Sequence, residues 1–211
     1  MTGEVDLLPL CPFPPLPWWG AICDKAARLD GLEHYQKRSF RNRYCVMQSD
    51  GLMQLTVPVE RRGGRPRPQD ETRRVMGDAD RKAWQAVRTA YGRAPYFEEM
   101  ADGLEALFLR GPETLGGWNR ATVAWAAEWM GMSVPGDVQA EEYHVVDHGV
   151  RMLQWQDGAA HGLVRWPHVW EDRHRAIPFE RLGILDALLH VGPAAVELVS
   201  PVPPSGSPHL R

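Results

Sequence analysis

The 211-residue chain predicts an α/β fold: a mixed sheet made by an N-terminal βαβ-like unit plus a β-hairpin, covered by C-terminal helices. Three observations predict it. An apolar stretch at 7–10 breaks into a proline-rich loop and then a helical face. The turn dipeptide Asp50-Gly51 joins a polar run to an alternating strand. After residue 78, three helix-length segments in succession repeat apolar residues at three- and four-residue spacing.

Residues 7–17, Leu-Leu-Pro-Leu-Cys-Pro-Phe-Pro-Pro-Leu-Pro, begin as a short strand. Proline then fixes φ and removes amide donors, so the loop is stiff and cannot extend a sheet. The segment from Trp18 to Ala27 reads as a helix with Trp19, Ile22, Cys23 and Ala26 on one face. One tryptophan of the Trp18-Trp19 pair is expected in the core and the other on the rim of a pocket. Gly31-Leu32-Glu33 leads into a second strand, which puts the proline loop at the carboxyl end of the first strand. That edge is where open α/β sheets bind ligands.

That second strand is His34-Tyr35-Gln36-Lys37-Arg38-Ser39-Phe40-Arg41-Asn42-Arg43, and it is the chemical centre of the chain. Ten residues carry an imidazole, a phenol, an amine, three guanidinium groups and two side-chain amides, more hydrogen-bonding capacity than solubility requires. The hairpin beyond it turns at Asp50-Gly51, a dipeptide that tolerates positive φ at both turn positions. Met53, Leu55, Val57 and Val59 then alternate with Leu52, Gln54, Thr56 and Pro58, and a buried face of this kind fixes register. The Arg/Gly/Pro loop at 60–70 reads as mobile, and Glu71 to Val75 as one more short strand.

Of the three helices, the first is capped by Asp78 or Asp80, carries Trp84, Val87 and Tyr91, and ends before Pro95. Phe97, Met100, Leu104, Leu107 and Phe108 stripe the second, and Leu115, Trp118, Val123, Ala126, Trp129 and Met130 the third. His144 and His148 are two imidazoles four apart, but Val145-Val146 favour a strand, where that spacing is roughly 13 Å and too wide for one ion. No metal is expected. A last helix shows Phe179, Leu182, Leu185 and Leu189 on its apolar face with Asp186 on or beside it, and Gly192-Pro193 ends it. Residues 1–199 are expected to form one domain and 200–211 a disordered tail.

Hydrophobic residues at 44% and charged residues at 24% are ordinary for a globular protein, and no apolar run approaches the ~20 residues of a membrane-spanning helix. The start of the chain lacks the positive flank of a signal peptide, so a cytoplasmic location is expected. Cys11, Cys23 and Cys45 fit neither a disulfide nor a metal spacing and read as reduced thiols. The net charge of −3 conceals an asymmetry: residues 34–74 hold ten Lys/Arg against four Asp/Glu, a local +6 in a chain otherwise at −9. Such a field draws phosphates and carboxylates. Nucleic acid is a poor partner, because the patch is short, poor in interleaved aromatics and set in an acidic protein.

The run at 34–43, the strand Leu55-Thr56-Val57-Pro58-Val59, the helix Trp84-x-x-Val87-x-x-Ala90-Tyr91-x-x-x-Pro95-Tyr96-Phe97, and Ile184-Leu185-Asp186-Ala187-Leu188-Leu189 leading into Gly192-Pro193 come in one order and spacing. In these blocks, which reach from about residue 8 to 199, the chain resembles the WbqC-like protein family. The resemblance implies a place in the making of O-antigen and related bacterial surface polysaccharides, and a glycine (aminoacyl) transferase role has been proposed for members. Phe13-Pro14-Pro15 and Trp18-Trp19 keep the family's aromatic-proline loop, with Pro12 where an aromatic is common. Trp166 to Trp170 resembles its aromatic-Gln-Val-Phe strand, with His168 in the glutamine's position, and His174 matches the histidine that follows. The chain departs from the family at Arg175-Ala176-Ile177-Pro178 and at Ala83, where members often carry histidine.

There is no phosphate-binding glycine loop, no Gly-x-Ser-x-Gly elbow and no zinc signature. What remains is suited to an anionic or sugar substrate of small size. On a strand, Arg41 and Arg43 share a face and each grips a phosphate or carboxylate through two donors, while Asn42 points the other way. Tyr35, Phe13, Trp18 and His168 complete the candidate binding set. Lys37 is a point charge or a base, His34 or His174 takes a proton in group transfer to a sugar hydroxyl or amine, and Asp186 orients one of these groups. The sequence names no cofactor and no oligomeric state. The competing reading is a non-catalytic carbohydrate- or nucleotide-binding module, which the same side chains would serve and which Ala83 favours.

Overall fold

The computed structural model describes residues 7–23, 28–60, 63, 66–134, 136–137, 165–174 and 176–199. The His144/His148 pair and the tail from 200 to 211 lie outside the described residues. The class is α/β. Strand β1 (Leu7–Pro9), helix α1 (Leu16–Cys23) and strand β2 (Arg28–Asp30) form a βαβ unit whose strands pair in parallel, Leu8 opposite Leu29. The second strand of the unit therefore ends before the polar run. The run itself turns through Lys37-Arg38, with Arg38 at a φ of 60°, and closes in a 3₁₀ turn at Phe40–Asn42. Ser39 caps that turn by accepting the Arg41 amide and donates its hydroxyl to the Gln36 carbonyl at 2.7 Å. A short hydroxyl side chain able to bond both neighbours favours a turn over a strand.

Strands β3 (Arg43–Gln48) and β4 (Gly51–Thr56) form the hairpin, antiparallel with Gln48 opposite Gly51. The two loop residues are thus Ser49 and Asp50, one position earlier than the sequence suggests, and only Gly51 takes positive φ, 128°. Tyr44 and Val46 of β3 and Leu55 and Val57 beyond the turn face the core, whereas Met53 is 40% exposed. Among the described residues the two strand pairs are separate pieces. Residues 73 and 74 contribute isolated bridges, Arg73 to Thr114 and Arg74 to Val59, in place of the expected strand.

Helices α2 (Asp78–Tyr91), α3 (Phe97–Arg110) and α4 (Leu115–Met130) follow the predicted stripes, burying Trp84, Val87 and Tyr91, then Met100, Leu104 and Phe108, then Leu115, Trp118 and Val123. Asp80 starts α2: its carboxylate accepts the Gly77 amide at 3.0 Å and pairs with buried Arg74 at 2.5 Å. A side-chain cap of this kind is worth about 1 kcal/mol. Helices α5 (Ile184–Val191) and α6 (Ala195–Val199) return to the start of the chain, where α6 packs on α1. No described helix is long and apolar enough to cross a membrane.

The aromatic core centres on Phe13, whose ring lies 5.3 Å from Tyr44, 6.0 Å from Phe108 and 5.8 Å from Trp118. Its φ of 43° is a left-handed conformation costing about 1–3 kcal/mol, held because the Phe13 amide donates to the Thr122 hydroxyl at 3.2 Å. Trp18 and Trp19 are both fully buried, edge to face at 5.1 Å, so neither forms a pocket rim. The Trp18 indole is tied to the Pro9 carbonyl at 2.8 Å, which draws it inward.

Candidate functional site

Residues 34–40 form a loop whose neck is a buried ion pair. The Glu33 carboxylate pairs with the Arg41 guanidinium, and both side chains are nearly sealed from solvent. The pair belongs to a closed ring of hydrogen bonds. Gln69 donates to Glu33 at 3.1 Å and accepts from Asn119 at 2.8 Å, and Asn119 donates to the Arg41 carbonyl at 2.9 Å. The Leu10 carbonyl, at the carboxyl end of β1, accepts from Gln69 at 3.1 Å. The ring therefore fastens the polar loop to the edge of the parallel pair. Backbone bonds from Gln69 to the Glu33 carbonyl and from Tyr35 to the Arg67 carbonyl tie it to the 67–69 segment as well.

Burial pushes the Glu33 carboxyl up to about 7, against the pull of Arg41. Asp30, at the end of β2, pushes it further up by its negative charge, and the Gln69 amide pulls it down. Burial likewise raises the Tyr35 phenol, with Arg43 opposing.

The sequence-selected residues divide into five places. His34, Gln36, Lys37 and Arg38 are exposed on the loop, with half-buried Tyr35 and, at the foot of β3, half-buried Arg43. Arg41 and Asn42 point inward. Arg41 does not share a strand face with Arg43, because it sits in the 3₁₀ turn, and Asn42 donates to the Val57 carbonyl at 2.8 Å. Phe13 and Trp18 lie in the core. His174 docks at the far end of β3, where its Nε2 donates to the Gln48 carbonyl at 3.0 Å. Five strand steps, roughly 17 Å, separate that end from Arg43.

Asp186 and His168 meet in a second buried cluster. The Asp186 carboxylate accepts from the Tyr91 hydroxyl at 2.6 Å, the Trp166 indole at 2.8 Å and His168 Nε2 at 3.1 Å, and His190 Nδ1 lies at 3.3 Å. Burial alone would push this carboxyl up; the hydrogen bonds from His168 and His190 outweigh it and hold it well below the usual carboxylate range. His168, Asp186 and His190 also offer ligand atoms all within 4.8 Å of one another, the spacing of a metal centre. The backbone argues otherwise. The Trp170 amide donates to His168 Nδ1 at 3.1 Å and the Val169 amide to His190 Nε2 at 3.2 Å, so each outer nitrogen carries a lone pair. In a neutral imidazole the inner nitrogen is then N–H, a donor toward residue 186 with nothing left for a cation.

Glu33, Gln69, Asn119, Tyr91, Trp166 and His190 escaped the sequence reading as site components. His190 had a legible signal, four residues after Asp186 on one helix face. The Glu33–Arg41 pair had none, because eight residues apart is a helical or strand neighbour in no regular element.

The WbqC-like protein family model matches residues 14–155. The chain is similar to "Uncharacterized protein Rv1507c" of Mycobacterium tuberculosis (strain ATCC 25618 / H37Rv), 32% identical over 124 residues, which cover 56% of this chain and 53% of that protein. The chain thus spans about half the length of this curated relative. No solved structure matches.

Proposed function

The chain belongs to the WbqC-like protein family, and from that premise we propose that it holds a sugar phosphate or nucleotide-sugar on the 34–43 segment for aminoacyl or acyl transfer in the making of bacterial surface polysaccharide. One observation carries the reading: an imidazole, a phenol and an ammonium group stand on a loop whose neck is a buried ion pair, and the half-buried guanidinium of Arg43 lies at its foot. Groups on so fixed a base are pre-oriented, which is what recognition of an anionic, hydroxyl-rich molecule needs. In the transfer, the sugar hydroxyl or amine attacks the acyl carbon and gives its proton to His34. The oxyanion so formed is stabilised by Lys37 and Arg43, then collapses as the donor's leaving group departs with a proton returned by His34. A cytoplasmic location accords with a charged, activated substrate, and a single domain over 1–199 accords with the joining of its first and last helices.

The second reading, a binding module without chemistry, is favoured by His174 and Asp186. The first sits at the opposite end of β3 and the second is sealed in the core, so His34 has no catalytic partner from either. Thermal unfolding against nucleotide-sugars, acyl and aminoacyl donors and plain nucleotides, with wild type beside Arg43→Ala and His34→Ala, tests both. A ligand at a hundred times its Kd stabilises by about 2.7 kcal/mol, roughly 5–10 °C at this size. A shift lost in Arg43→Ala and product formation lost in His34→Ala support transfer. A shift without turnover supports the module, and a shift unchanged in Arg43→Ala removes the segment from the site.

A further inference from the structure

We infer that Glu33 is the positioning residue of the anion-holding loop: by gripping Arg41 across the neck it sets how His34, Tyr35 and Lys37 on one limb stand relative to Arg43 on the other. The inference rests on the reading of this loop as the substrate segment. Glu33 directly precedes exposed His34, and Arg41 is followed after one residue by Arg43, so the ion pair joins the two limbs at their base. Each partner is fixed again from inside, Glu33 by Gln69 and the Arg41 backbone by Asn119. Beyond the neck the first limb is tied by the Tyr35 amide to the Arg67 carbonyl and the second by Asn42 to the Val57 carbonyl, and the tip between them is held more weakly. The tip holds Arg38 in a left-handed conformation, and the Ser39 hydroxyl on the Gln36 carbonyl is an exposed bond. The neck, rather than the tip, thus carries the loop's geometry. The pairing also removes Arg41 from the groups that meet an anion and leaves Lys37, Arg38 and Arg43 for that task.

Charge and geometry make opposite demands on a variant here. At pH 8, where the Glu33 carboxyl is ionised, Glu33→Gln deletes a negative charge beside a basic loop, so a pure charge effect tightens anion binding; a positioning role weakens it. Glu33→Asp keeps the charge and shortens the reach by one methylene, so only a positioning role weakens binding. The experiment titrates UDP-glucose, and inorganic pyrophosphate for comparison, into wild type, both Glu33 variants and Glu113→Gln, whose carboxylate makes an exposed pair with Arg73. The expected result is at least a tenfold loss of affinity in both Glu33 variants, measured at a temperature where each remains folded, with Glu113→Gln at wild-type affinity. Unchanged or tighter binding in Glu33→Gln, or wild-type affinity in Glu33→Asp, overturns the inference. Should Glu33→Gln fail to fold, Glu33→Asp carries the comparison.

Trypsin reads the neck without any ligand, since Lys37 and Arg38 are exposed cleavage sites. Cleavage at the loop is expected at least tenfold faster in both Glu33 variants than in wild type, and equal rates overturn the inference. A wild type that binds neither probe, with cleavage accelerated in the variants, supports the neck and overturns the substrate reading of the loop.

Discussion

Replacing Asp186 tests whether its carboxylate serves the fold or a substrate. Asp186→Ala strips three buried donors of their acceptor: the Tyr91 hydroxyl, the Trp166 indole and His168 Nε2. His190 Nδ1 keeps the residue-186 backbone carbonyl, 2.7 Å away. At about 1–3 kcal/mol for each stranded donor, the alanine variant loses on the order of 3–9 kcal/mol, a large part of a typical stability of about 5–15 kcal/mol. Asp186→Asn keeps the shape and one acceptor oxygen, but turns an NH₂ group toward two donors and costs about 2–6 kcal/mol by the same count. Urea unfolding followed by tryptophan fluorescence measures both. The wild-type carboxyl is held below its unfolded value of about 3.9, so its contribution is complete above that pH and is lost as pH falls through the folded value. The acid limb of stability against pH is therefore expected to flatten in the asparagine variant. An asparagine variant within about 1 kcal/mol of wild type that no longer responds to ligand would refute this reasoning and make Asp186 a substrate-directed group.

Glu33 gives the opposite pH signature. Its folded carboxyl titrates near 7 and its unfolded one near 4.5, so the folded state holds the extra proton in between and stability falls as pH rises through that window, by on the order of 3 kcal/mol; denaturation of Glu33→Gln across pH 4–8 should lack that fall. Asn119→Leu leaves the Arg41 carbonyl and the Gln69 side-chain oxygen without their donor and is expected to cost about 2–5 kcal/mol by urea unfolding. Gly183→Ala puts a Cβ 2.3 Å from the Phe13 carbonyl oxygen, a backbone contact that cannot swing aside, and its melting temperature is expected to drop by roughly 5–10 °C.

Long amphipathic periods were the most legible part of this chain. Helices α2 to α4 each repeat apolar residues over four turns, and the buried residues match those stripes. The hairpin was legible but its turn was not, because Gly51 serves as the first paired residue of β4 and leaves Ser49-Asp50 as the loop. The 34–43 run misled in a physical way. Its composition marked it as chemical and its place between the βαβ-like start and the hairpin suggested a strand, yet the Ser39 cap and the Glu33–Arg41 pair hold it as a loop. The Trp18-Trp19 pair could not be divided from sequence, since burial of both is set by tertiary packing around α1. Partners distant in the chain, Tyr91 and Asp186 at a separation of 95, leave no mark on local pattern.

The α1–α6 contact has a consequence for how the protein comes off the ribosome. The proline loop before α1 is likewise joined to the start of α5, by the Pro15–Gly183 bridge and the bond from the Ile184 amide to the Pro14 carbonyl, across 168 and 170 residues, so neither contact forms until the segment from Gly183 onward has been translated. Such closure comes late, after the entropy of a long loop has been spent. Throughout that interval α1, which carries Trp18 and Trp19, lacks the cover of α6, and uncovered hydrophobic surface is what chaperones hold. Synthesis of this protein is thus expected to depend on holding factors until its last helices arrive.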